Sequence, residues 1–224
     1  MREWNYGDAY QRHPIPEGYR IRFADGSQVQ ATDLFDDPIP EFLFEANLLC
    51  IDPPWTTGNL TSFYTKAGMP VRADFSTFLL RLFTVIAEIA PKICYVEIGK
   101  DALADVILAM RRLYPAVTFY NSMYYRRPAN HCYWVRGGPK RVKRPLDGMD
   151  EADIIQWIGA HEDYTCLGDL CMGRGLVGLA AYAAHRRFVG IELNPKRLSV
   201  LVEAIVKQGG TYTLAPIAEG GNQS

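Results

Sequence analysis

The sequence predicts an α/β protein, a mostly parallel sheet with helices on both faces. Three observations carry that expectation. Apolar runs of strand length alternate with longer runs at helical spacing along the chain. The run Asn47-Leu48-Leu49-Cys50-Ile51 is apolar without alternation, as a strand covered on both faces is. Two such runs end on an acid, Asp52 and Glu192, at the strand end where open α/β sheets hold ligands.

The elements follow in order. Residues 1–40 are rich in Pro, Tyr, Asp and Arg and read as an N-terminal extension packed on a single domain of residues 41–224. Its start is polar, with Arg2, Glu3 and Asp8, and does not read as a signal peptide. Tyr19 to Phe23 alternates and predicts a short edge strand, closed by Asp25-Gly26. After Trp55, Thr56 to Ala73 shows no clear period and predicts a long polar loop, a lid or binding segment. Phe75, Phe78, Leu79, Leu82, Phe83, Ile86 and Ile89 recur at helical spacing and predict a helix from Asp74 to Ala90. Ile93 to Ile98 follows as a strand, then a helix from Leu103 to Leu113. Val117 to Tyr125 and His131 to Val135 read as paired aromatic-rich strands. Asp150 to Gly159 reads as a short helix and Tyr164 to Leu170 as a strand. A glycine turn, a helix from Leu176, a strand from Arg187, a helix from Leu198 to Val206 and a strand at Tyr212 to Leu214 complete the chain.

Composition narrows the function classes. The 224 residues are 48% hydrophobic and 22% charged, with a net charge of −1, so no global basic field advertises nucleic-acid binding. Any such contact must be local. Arg126 to Arg144 is the one basic stretch, with Arg126, Arg127, Arg136, Lys140, Arg141, Lys143 and Arg144 and no acid, and it reads as a phosphate-contacting loop. The five cysteines form no C-x-x-C pair and show no ligand spacing with the four histidines. Buried free thiols in a reducing cytoplasm, and no metal centre, are expected. No apolar run reaches the length of a membrane span.

Two constellations carry chemistry. In Asp52-Pro53-Pro54-Trp55, Pro53 cannot donate to a sheet ladder, so the strand stops and Asp52 is held on a stiff turn beside a large ring. From Tyr164 to Glu192, a strand, a glycine turn, a helix and a strand ending on an acid form an unbroken βαβ unit. Gly173 and Gly175 let a ligand approach the backbone, the helix start offers free N–H groups, and Glu192 can accept from both hydroxyls of a ribose. Asp169 before the turn suits a positively charged ligand, which favours S-adenosylmethionine over a dinucleotide.

Asp169-Leu170-Cys171-Met172-Gly173-Arg174-Gly175, with Phe188-Val189-Gly190-Ile191-Glu192-Leu193-Asn194-Pro195, resembles the cofactor half of the S-adenosylmethionine-dependent amino-methyltransferases of DNA. Asp52-Pro53-Pro54-Trp55 resembles their catalytic motif, and its position upstream is similar to the circularly permuted β group. The resemblance spans residues 42–206. It implies a Rossmann-like methyltransferase fold with a seven-stranded sheet and permuted motif order. It also implies cofactor contacts at Asp169, Cys171, Gly173, Gly175, Glu192 and Asn194. Asp52 and the Pro53 carbonyl would hold the target amine, and Trp55 would stack on a flipped base, with Phe63, Tyr64 or Tyr125 assisting. Asp at the motif head leans toward adenine N6 in DNA. RNA adenine, cytosine N4 and a non-catalytic subunit are the alternatives. The family's Lys-Pro before the cofactor helix has no counterpart near Gly148-Met149, and no long insertion forms a target-recognition domain. Homodimerisation or a partner subunit is the expected way to supply one. No cysteine adjoins a proline, which argues against cytosine C5 chemistry.

Overall fold

The computed structural model describes residues 7–217. Residues 1–6 of the N-terminal extension and residues 218–224 lie outside them. The described elements run α1 (Ala9–Arg12), β1 (Tyr19–Phe23), β2 (Gln28–Ala31), β3 (Leu48–Ile51), α2 (Thr57–Ala67) and α3 (Phe75–Ile89). Next come β4 (Ile93–Ile98), α4 (Leu103–Leu113), β5 (Ala116–Tyr124), β6 (Arg127–Gly138), β7 (Met149–Asp150) and α5 (Glu151–His161). The chain continues through β8 (Cys166–Asp169), α6 (Leu176–Ala183), β9 (Arg187–Glu192), α7 (Pro195–Lys207) and β10 (Tyr212–Pro216).

The strands form one sheet in the order β10-β1-β2-β9-β8-β3-β4-β6-β5-β7. Its centre, β2-β9-β8-β3-β4, is parallel throughout. The α/β architecture with helices on both faces is the expected one. The described sheet has ten strands, where the resemblance implies seven. The three additions are β10 and β1 at one side and the two-residue β7 at the other. Strand β1 is interior, between β2 and β10, and not the expected edge. Its backbone groups need partners on both sides, and the C-terminal strand supplies the second set.

The apolar runs read as they do because alternate residues face different cores. In β3, Leu49 and Ile51 join one buried cluster with α2, α3 and α4, while Leu48 and Cys50 join another with α5, α6 and α7. Strand β4 splits likewise, with Cys94, Val96 and Ile98 on the first side and Ile93 and Tyr95 on the second. Both faces are dry, so no polar alternation survives in the sequence. The five cysteines are free thiols, four of them buried. No described helix is long and apolar enough to cross a membrane.

One expected loop is a helix. Thr57–Ala67 forms α2, with Thr56 Oγ1 accepting from Asn59 N at 3.2 Å and Gly68 closing the end at φ 74°. Only Leu60 and Tyr64 of this helix are buried, so its apolar stripe is too narrow to register as a period.

Candidate active site

Parallel pairing aligns the carboxyl ends of β2, β9, β8, β3 and β4 along one edge. Strand β3 leads on through α3 to β4 on one side, and β8 leads through α6 to β9 on the other. β3 and β8 are neighbours, so the chain reverses its winding between them. Such a switch point leaves a crevice that no crossover covers. A cavity of about 390 Å³ lies there. Asp52 and Pro54 line it from the end of β3, Asp169 to Gly173 from the end of β8, and Glu192 from the end of β9.

On the β8–β9 side the acids hold the backbone in shape. Asp169 Oδ1 accepts from Cys171 N at 2.9 Å. Glu192 accepts from Gly173 N at 2.7 Å through one oxygen and from Asn194 N at 3.0 Å through the other. Each oxygen keeps a further lone pair. Gly173 sits at φ 54°, and a Cβ there would meet nothing nearer than Arg197 Nη1 at 3.7 Å, so the backbone is open to a ligand. Burial pushes the Asp169 carboxyl well above its usual range. It also raises Glu192, against the opposing pull of Arg197 and the two N–H bonds.

Two of the expected cofactor residues do not line the cavity. Gly175 packs against α7, where a Cβ would meet Leu201 Cδ1 at 2.7 Å, and its φ of 83° starts α6. Asn194 caps α7, accepting from Lys196 N at 3.0 Å and donating to the Lys66 carbonyl at 3.1 Å. Both therefore support the turn that Asp169, Cys171, Gly173 and Glu192 present.

On the β3 side the expectation for Trp55 needs correction. Its indole does not line the cavity. It folds back, Nε1 donating to Asp52 Oδ1 at 3.0 Å, with its ring against Gly99 and edge-to-face with Tyr124 at 5.3 Å. A three-residue span with two φ-locked prolines brings the ring back over its own acid. The aromatic walls of the cavity are Phe63, Tyr64, Phe78, Tyr124 and Tyr125. Tyr125 and Arg126 form the two-residue β5–β6 turn, with positive φ of 58° and 53° at residues that rarely adopt it.

Asp52 is not the only acid at this end. Glu97 of β4 and Glu151, first residue of α5, place carboxylate oxygens within 4.8 Å of those of Asp52. Two unit charges at that separation repel by about 3.5 kcal/mol at an effective dielectric of about 20. Burial lifts Asp52 to about 7, partly offset by the Trp55 indole and by Arg197. Burial, with the charges of Asp52 and Asp150 added, lifts Glu151 to about 8. Glu97 is fully buried and is pushed well up by burial, then by Asp52 and Glu151. Neither of its oxygens meets a nitrogen or oxygen donor, and the Cys132 thiol beside it is a weak one.

The basic stretch is not one loop. Most of it is β6, which pairs with β4 and β5. Arg136 is buried, its Nε donating to the Tyr95 hydroxyl at 3.1 Å and lying 3.5 Å from Glu162. Arg144 clasps Glu162 with two bonds of 2.8 and 2.9 Å. Burial would raise Glu162, but Arg144 and Tyr95 outweigh it and hold the carboxyl below its usual range. Arg136 is thus buried against Glu162, and the partly exposed Arg144 is tied to the same carboxylate. Exposed Arg126 and Arg127 lie at the hairpin tip beside cavity-lining Tyr125, with Arg126 Nη2 3.7 Å from Asp153. Exposed Lys140, Arg141 and Lys143 lie past the other end of β6.

Sequence reading missed Asp33, Glu97, Tyr124, Glu151 and Arg197. Asp33, just past β2, lines the cavity, with the Tyr64 hydroxyl 3.0 and 2.9 Å from its two oxygens and Phe35 N donating to Oδ1 at 3.0 Å. A lone acid inside the apolar run Ile93 to Ile98 was a readable signal for Glu97. Glu151 looks like any acid in a helix's first turn, and only the fold brings it to Asp52.

No protein-family model and no curated protein sequence matches the chain. Solved structures do share its fold. M1.HpyAVI superposes with a TM-score of 0.56 at 14% identity, over 79% of this chain and 97% of that one. A putative DNA modification methylase of Thermus thermophilus, TTHA0409, gives 0.55 at 16% identity, over 76% and 89%. PvuII DNA methyltransferase, cytosine-N4-specific, gives 0.51 at 12% identity, over 81% and 90%. The first two are also known as complexes with S-adenosylmethionine.

Proposed function

We propose that the chain is an S-adenosylmethionine-dependent methyltransferase acting on the exocyclic N6 of adenine in DNA. One observation carries the reading: the Asp52 turn and the Asp169–Gly173–Glu192 pocket open into one cavity at the sheet's switch point. The fold is shared with proteins named as DNA-modifying enzymes. The pocket also suits the cofactor chemically. Two strand-end acids and an open glycine backbone fit a ligand with an ammonium, a sulfonium and ribose hydroxyls.

S-adenosylmethionine would supply a methyl group on a sulfonium. The rest falls to the chain's own residues. Asp169 would hold the amino group and Glu192 the ribose hydroxyls, each through lone pairs not used by the turn. Asp52 accepts one N–H of the target amine, and the Pro53 carbonyl accepts the other. Two acceptors set off the ring plane draw the nitrogen lone pair toward the methyl. Positioning and electrostatics supply most of the rate. Tyr124, Tyr125 and Phe63 take the stacking role first assigned to Trp55, offsetting the cost of flipping the base. Trp55 instead orients Asp52 through its indole N–H. Arg126 and Arg127 would contact phosphates at the cavity mouth.

Cytosine N4 is the second reading, favoured by the likeness to a cytosine-N4-specific enzyme. The test is incubation with methyl-labelled cofactor and DNA or RNA of mixed sequence, then digestion to nucleosides. Label in N6-methyldeoxyadenosine is the expected result. Label in N4-methyldeoxycytidine selects the second reading, label in RNA nucleosides alone transfers the site to RNA, and label in none overturns the function.

A further inference from the structure

Three acids meet at the acceptor end of the cavity, where a neutral amine needs only one. Asp52 ends β3, Glu97 lies in β4, and Glu151 opens α5, with all three carboxylates within 4.8 Å of one another. Glu97 is fully buried with no nitrogen or oxygen donor. Around them stand Asp150 at the α5 N-cap, Cys132 of β6 and Tyr124 of β5, and none of these brings a positive charge. The positive charge that reaches the cluster is that of Arg197 from α7, acting on Asp52. Three like charges within 4.8 Å, two of them buried and with so little compensation, cannot all persist, so the cluster keeps a proton. A cation brought beside Asp52 changes that balance.

We propose that Asp52, Glu97 and Glu151 share a proton which they release to solvent when the sulfonium of the methyl donor enters, and which they regain from the acceptor amine during transfer. The proposal rests on the cofactor reading above. The accounting closes. Donor binding exchanges one positive charge for another, the sulfonium for the proton. In transfer the amine lone pair forms the new N–C bond, and the S–C bonding pair stays on sulfur, which becomes a neutral thioether. The displaced N–H proton passes to Asp52 and is shared with Glu151 and Glu97. The site therefore keeps the same net charge through the cycle. A neutral product thioether also gives the re-protonated cluster no charge to hold, which favours its departure.

The experiment is calorimetry of ligand binding near neutral pH in buffers of different ionisation enthalpy, which counts protons. S-adenosylmethionine is expected to release about one proton and S-adenosylhomocysteine none. Their shared amino-acid part cancels in the comparison. Glu97→Gln and Glu151→Gln should each lower the count for the sulfonium ligand. Glu151 lies at the cavity wall, so its variant remains informative should the buried Glu97→Gln fail to fold. Equal counts for the two ligands, or an unchanged count in a folded variant, would overturn the proposal and leave the cofactor reading standing. Binding of neither ligand would overturn both.

Discussion

At the scale of single residues, the site is defined by acids that cannot all be charged. Glu151 shows this in stability as well as chemistry. Its carboxyl is raised to about 8 by burial and by its neighbours Asp52 and Asp150. A carboxyl held protonated in the fold, but ionised in the unfolded chain above about pH 4.3, favours folding most at low pH. That contribution is lost as pH rises toward 8. Glu151→Gln should flatten the fall in melting temperature between about pH 5 and 8, and melt above the parent at pH 8 by about 2–4 °C for each kcal/mol relieved. A melting curve at each pH checks this, and a variant that loses stability equally at all pH values would count against it. Glu162 runs the opposite way, since Arg144 and Tyr95 keep it ionised and its contribution disappears in acid. Asp52, Asp169 and Glu192 were legible because each ends an apolar run. Glu151 was not, because a first-turn acid is ordinary until a neighbouring strand brings another acid beside it.

At the scale of elements, the hairpin β5–β6 carries information that composition hid. Seven basic residues in a row of nineteen suggested one phosphate-binding loop. The pleat divided them instead, sending Arg136 inward to Glu162 and leaving charge at the two ends. Twelve strand residues at about 3.3 Å each separate those ends by roughly 35 Å. Only the Arg126–Arg127 end adjoins the cavity. Replacing both with alanine should weaken DNA binding across all sequences and flatten the salt slope by about 1.8, at about 0.9 per phosphate contact. Arg141→Ala with Lys143→Ala serves as the comparison. A larger loss from the distal pair, in binding isotherms over a salt series, would move the nucleic-acid track to the other end of β6. Helix α2 was missed for a related reason. Its two buried residues, Leu60 and Tyr64, are one turn apart, and the signals that marked it were the Thr56 cap and Gly68.

At the scale of the whole molecule, the order of motifs along the chain and the order of strands in the sheet explain one another. The Asp52 turn comes first in sequence and the Gly173 turn later, yet β3 and β8 are neighbours. Alternation of strands and helices made the parallel sheet legible, and both faces of β3 and β4 are buried, as the unbroken apolar run of β3 and the run of β4, interrupted only by Glu97, required. The flanking strands were not legible at full value. Strand β10 pairs with β1 across most of the chain length, and no local pattern encodes such a pairing. The result is one crevice lined by acids at the ends of β3, β8 and β9 and the start of α5, with Glu97 of β4 buried beside them, and the proposed function reads it as the place of a cationic donor against an amine. The most direct test of that account is turnover by Asp52→Ala measured beside its affinity for S-adenosylmethionine. A loss of about 10²–10⁴-fold in kcat with cofactor affinity changed only slightly is the predicted result. Unchanged turnover would contradict the assignment of Asp52 as the acceptor that holds the target amine.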